Sequence, residues 1–161
     1  MHRLKPILTG RIVLALTFLF LGFLIFFSLK SEQHKPPDLA KNEITLKIAD
    51  IRVTAEVVET KERLIQGLSG RKSLEENSGM YFVLPERKIA TFWMKGMLFP
   101  LDIIWIDDGV IVDLDENIPI PTKDRTPSLT SPQEVTHVLE VNAGFVNRHN
   151  IETGNTVEIA N

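Results

Sequence analysis

Hydrophobic positions follow two regimes along this chain. From Ile12 to Leu29 the sequence IVLALTFLFLGFLIFFSL carries no charge over about eighteen residues, enough at 1.5 Å rise per residue to cross a hydrocarbon core of roughly 30 Å. Such a helix has no polar face to turn to water. The run exceeds the apolar core of an export signal and no small-residue cleavage site follows, so it predicts a retained signal anchor. Beyond residue 43 the pattern changes to short alternations. Ile44, Leu46 and Ile48 alternate with polar residues, and after Ala49 and Asp50 the series Ile51, Val53, Ala55, Val57 does the same, the period of half-buried strands in a hairpin.

Glu59 to Gly70 switches to helical spacing. Thr60 is placed to cap, Leu64, Ile65 and Leu68 share one face, and Gly70 suits the residue after the last turn. Gly79 to Leu84 reads as a strand stopped by Pro85. Asp107-Asp108-Gly109 reads as a hairpin turn, with Gly109 supplying a positive φ, that returns the chain into Val110 to Asp115. Pro119, Pro121, Pro127 and Pro132 rule out a central strand between Ile118 and Gln133, a length expected to form a surface loop covering something. Strands resume at Val135 to Val141 and Thr156 to Ile159, with a short helical turn within Asn142 to Asn150. The expected fold is mainly β: a small β-barrel or rolled antiparallel sheet of about seven strands with one or two short helices, preceded by one N-terminal transmembrane helix. In order, the chain divides into a basic tail (1–11), an anchor (12–30), a polar Pro-Pro linker (31–42) and one domain (43–161).

The stretch Thr91 to Asp107, TFWMKGMLFPLDIIWID, holds both tryptophans and hinges at Pro100. Its second half is nearly all apolar, yet Asp102 sits inside it. A buried carboxylate needs a cation or donors, and Lys95, Arg63 and Arg71 are the expected partners. Glu140, between Leu139 and Val141, poses the same problem. Arg63 and Gly67 share a helical face, so the glycine admits a close approach while the arginine reaches over it. Met80, Met94 and Met97 with Phe82, Phe92, Trp93, Phe99 and Trp105 fit a packed core. His137 has no second histidine at ligand spacing, and no metal site is expected.

Charge narrows the partners. The chain has 18 Lys and Arg against 21 Asp and Glu; six of the basic and two of the acidic residues precede residue 43, which leaves the domain at about −7. That balance opposes nucleic-acid binding and flat contact with anionic lipid. With no cysteine, disulfides, thiolate metal sites and a cysteine nucleophile are excluded.

The ordered series Arg63-x-x-x-Gly67-Leu68-x-x-Arg71-x-x-Leu74, Gly79-Met80-x-Phe82, Phe92-Trp93-Met94-Lys95, Pro100-Leu101-Asp102-Ile103 and Val138-Leu139-Glu140-Val141-Asn142-Ala143-Gly144 resembles the domain-of-unknown-function family 192 over nearly all of residues 44–160. The resemblance implies a compact, mostly β domain, often carried behind a signal peptide or anchor, and no particular activity. Many members have Asn-Thr where this chain has Gly96-Met97.

The expected function is a membrane-anchored, extracytoplasmic domain that binds a small ligand or serves the envelope as an accessory module. Arg63, Arg71, Trp93, Lys95 and Asp102 are the expected binding residues for an anionic or hydroxyl-rich ligand, with no cofactor. The expected location is the cytoplasmic membrane, spanned once, with the C-terminal domain facing the periplasm or cell exterior. Two alternatives are a metal-independent hydrolase of an envelope polymer using Asp102 and Glu140 as acid and base, and a structural adaptor. The carboxyl pair requires both groups in one cleft; the adaptor predicts no concave polar pocket near Trp93 and an exposed apolar patch elsewhere.

Overall fold

A computed structural model describes residues 42–160. The basic tail, the expected transmembrane anchor and all but the last residue of the linker lie outside the described residues. Among the described residues no helix is long and apolar enough to cross a membrane.

Among the described residues are nine strands and two short helices: β1 (Glu43–Ile48), β2 (Ile51–Val58), α1 (Lys61–Gln66), β3 (Ser78–Lys88), β4 (Thr91–Trp93), β5 (Leu101–Asp107), β6 (Val110–Ile118), β7 (Ser128–Thr130), β8 (Val135–Asn142), α2 (Phe145–Arg148) and β9 (Val157–Ala160). Seven of them make one sheet in the order β6-β5-β8-β3-β2-β1-β9. It curls into a half-barrel, because Val110 bridges to Thr156 and the Val157 amide donates to the Gly109 carbonyl, which draws the two edges together at one end.

The turn chemistry read from the sequence sets the hairpins. Ile48 faces Ile51 across a two-residue turn with Ala49 at φ 50°. At Asp108 and Gly109 both φ values are positive, 46° and 77°, the turn that suits the twist of paired strands.

Three expectations need correction. The sheet is not wholly antiparallel: β2 and β3 run parallel, joined by α1 and the segment 67–77, since parallel neighbours need a crossover rather than a hairpin. Pro85 does not stop β3. It falls where the pairing of β3 with β8 lapses, between Val83 and Lys88, so its missing amide costs no ladder bond. The proline-rich excursion contains a strand, β7, which pairs with β4 in a separate two-stranded sheet.

Both faces of the large sheet are covered. One apolar cluster draws on all seven strands, including Leu46, Val53, Tyr81, Ile104, Ile111, Leu139 and Val157, and is enclosed by the curl. The other, with Met80, Phe82, Ile103, Trp105 and Val138, lies on the outer face beneath Leu68, Ala90, Met94 and Met97 from the connections. β5 is therefore buried on both sides, which explains its continuous apolar run. Gly79 is required by this packing: a Cβ there would come within 2.8 Å of Leu139 and 3.0 Å of the Glu140 carbonyl.

Candidate functional site

The crossover carries the site. Thr60 caps α1, its hydroxyl accepting from the Arg63 amide at 3.4 Å. The helix ends earlier than the sequence suggests, at Gly67 rather than Gly70, with Gly67 at φ 49°, ψ −135°, a backbone state that favours glycine. Arg63 and Gly67, one turn apart, both look onto the outer face of the sheet. There Glu56 on β2, Met80 on β3 and Glu140 on β8 are consecutive cross-strand neighbours.

Glu56 is buried and doubly held. Arg63 pairs with its Oε1, and Arg71 donates to Oε2 at 2.7 Å. Sequence reasoning missed Glu56, since its place among alternating apolar residues reads as an ordinary solvent-facing position. The one available signal was the pair of arginines on the following crossover.

Glu140 is the opposite case. It is 5% exposed, and its Oε2 is buried with no hydrogen-bond partner. Burial pushes its carboxyl up to about 8, so at neutral pH it is mostly protonated. The acid lines a cavity of about 330 Å³ with Leu64, Gly67, Phe82, Phe92, Trp93 and Met97 among its walls. Gly67 leaves the space beside it free, for a Cβ there would stand 3.5 Å from the Phe82 ring and 3.8 Å from Glu140 Oε2. Phe82 and Phe92 meet edge to face, centroids 4.9 Å apart. Ile65 and Trp93 are more than half exposed, so the cavity opens to solvent between α1 and β4. The sequence put Ile65 on one helical face with Leu64 and Leu68, and Trp93 in the packed core; both form the rim instead.

The remaining candidates are dispersed. Asp102 is fully buried, but its partners are not Lys95, Arg63 or Arg71. Its Oδ1 accepts from the amides of Asn117 at 2.8 Å and Gly144 at 3.1 Å, and its Oδ2 from Val146 at 3.0 Å. Three oriented backbone donors replace the expected cation and tie β5 to the start of α2 and the end of β6. Its cross-strand neighbour on β8 is Val141, whereas Glu140 faces Ile103. Asp102 and Glu140 therefore lie on opposite faces of the sheet, and the structure does not bring them together as an acid and base pair. Lys95 rests on Trp93, its Nζ 5.7 Å from the ring centroid, outside the cavity. The proline-rich excursion does not cover this opening; Pro119 and Pro127 border a separate hollow beside β6. His137 stacks on Tyr81, centroids 5.0 Å apart, and burial lowers its pKa. Among the described residues no group of three or more His, Asp or Glu is placed to hold a metal ion.

The fold and site define a class: a β half-barrel whose helical crossover roofs a small apolar cavity floored by one carboxyl. Within that class, the chain belongs to the DUF192 family, described as an uncharacterized ACR, which matches residues 44–159. Solved structures agree. A candidate transcription regulator from Sinorhizobium meliloti is 26% identical, with a TM-score of 0.71 over 76% of this chain and 97% of its own. A protein of unknown function from Novosphingobium aromaticivorans is 27% identical, with a TM-score of 0.68 over 76% of this chain and 89% of its own. No curated protein matches the sequence.

Proposed function

We propose that this DUF192 domain is an extracytoplasmic small-ligand-binding module, held at the membrane by the apolar segment at residues 12–30. One observation carries the binding reading: Glu140 presents a buried, unpartnered carboxyl oxygen to an open, largely apolar cavity. A polar atom left unsatisfied in a folded interior costs about 1–3 kcal/mol, and a ligand that satisfies it recovers that cost. Mostly apolar walls with a few polar groups, here Glu140 with Gln66, Ser69 and Thr91, are the usual make-up of a small-molecule site. The uncharged N-terminal run suits an envelope protein.

The other readings have less support. A two-carboxylate hydrolase lacks the shared cleft it requires, and a plain adaptor gives no use to the unpartnered Glu140 oxygen at the cavity beside Trp93. The regulator name attached to the Sinorhizobium structure fits poorly with a domain net charge of about −7.

The test is a binding screen on the full-length chain in lipid nanodiscs. Trp105 is fully buried while Trp93 stands at the opening, so a ligand should change the tryptophan emission and raise the melting midpoint. Trp93→Ala should remove the emission response and weaken binding about tenfold. A ligand that raises the midpoint equally in wild type and Trp93→Ala would place binding elsewhere. Protease protection of the domain in spheroplasts, lost only when the cytoplasmic membrane is lysed, would reverse the proposed orientation.

A further inference from the structure

We propose that the ligand is an organic monocation, a primary ammonium on a compact aromatic or aliphatic body, with its nitrogen seated against Glu140 Oε2. This rests on the binding reading above and names the ligand class for the same cavity.

The argument starts from what the protein leaves uncompensated. Glu56 and Glu140 share this face of the sheet on either side of Met80, and the nearby guanidinium groups of Arg63 and Arg71 both go to Glu56. Lys95 is engaged with Trp93. Glu140 Oε2 is thus left without a protein donor, although a carboxyl is the side chain best suited to meet a cation. The walls point the same way. Phe82, Phe92 and Trp93 line the cavity, and aromatic faces attract ammonium groups while packing against their hydrocarbon. Met97 adds a polarisable apolar wall. An acidic domain also raises the local concentration of cations.

Seating an ammonium there requires Glu140 to ionise, and the proton passes to solvent as the salt bridge forms. Burial holds the empty site's carboxyl near 8, so below that pH the competent, ionised fraction rises about tenfold per pH unit. The charged groups around Glu140 are Glu56 with its two arginines beyond Met80, Asp115 beyond Ile103, where it accepts from Trp105 Nε1 at 2.8 Å, and Lys95 at the rim. The Glu56 and Asp115 carboxylates already have partners. Lys95 opposes an entering cation, which favours ligands with a single charge at one end, the end that goes in first.

Titration calorimetry of the full-length protein with 2-phenylethylamine and its neutral counterpart 2-phenylethanol tests this, using two buffers of different ionisation enthalpy. The amine should bind at least tenfold tighter than the alcohol at pH 7.5, release about three-quarters of a proton there, and gain about tenfold in affinity from pH 6 to pH 7. Glu140→Gln, whose folding is checked by its melting transition, should lose the proton release and weaken the amine at least tenfold. Alcohol binding as tight as the amine, or amine binding without proton release, would overturn the ammonium assignment and leave the cavity reading intact. If neither compound binds, both fall.

Discussion

Glu56 and Glu140 lie on one face of the sheet with only Met80 between them, yet one is gripped by two arginines and the other has an oxygen that nothing in the protein meets. The same helix produces both outcomes. Arg63 reaches down from its last turn to Glu56, and four residues on, Gly67 ends the helix with no side chain above Glu140.

The acid should leave its mark on pH-dependent stability. Its carboxyl is raised from an ordinary 4.5 to about 8 by burial. The folded protein therefore keeps a proton that the unfolded chain gives up. Stability from this group is fully present below 4.5, declines as pH rises through that window at about 1.4 kcal/mol per pH unit, and levels off above 8. Urea unfolding should show wild type losing roughly 3 kcal/mol relative to Glu140→Gln between pH 5 and pH 7.5. Parallel profiles for the two proteins would contradict the assignment.

Glu56 should behave differently. Glu56→Gln strands two guanidinium groups against a buried amide and should cost about 2–3 kcal/mol. Arg63→Ala and Arg71→Ala, each leaving one partner in place on a side chain about 30% exposed, should cost about 1 kcal/mol apiece. A double-mutant cycle between Arg63 and Glu56 measures the coupling directly.

Asp102→Asn preserves shape and should nonetheless destabilise by about 2–3 kcal/mol, because an amide brings donors to a site already filled by the N–H groups of Asn117, Gly144 and Val146. Faster amide exchange at Gly144 and Val146 is the local readout. A variant as stable as wild type would show that those three bonds contribute little.

The two tryptophans should separate function from folding. Trp105 is wholly buried between sheet and cover, and its truncation to alanine should cost about 4 kcal/mol. Trp93 is 52% exposed, so Trp93→Ala should change stability by no more than about 1 kcal/mol. Thermal melts of both variants decide this.

The local structure was legible from residue pattern alone, because its determinants are local. Period-two alternation marked β1, β2 and β8, the positive-φ turn at Asp108 and Gly109 marked the β5 and β6 hairpin, and Thr60 marked the start of α1. The ordered motifs likewise identified the family. Sequence also singled out Asp102, Glu140, Arg63 and Gly67, since charge among apolar neighbours and a glycine one helical turn from an arginine are visible without coordinates, although the helix end was read at Gly70. Which group each would meet was decided only by the tertiary structure. Asp102 and Glu140 look alike in the sequence, but β5 and β8 pair in a register that turns them to opposite faces. One then meets backbone amides fixed by α2, and the other meets a cavity. The arginines found Glu56 because a parallel crossover laid α1 over β2 and β3, a pairing between strands that no local pattern encodes. Spacing along the chain fixes which face a side chain takes on its own strand; only the assembled sheet decides what stands across from it.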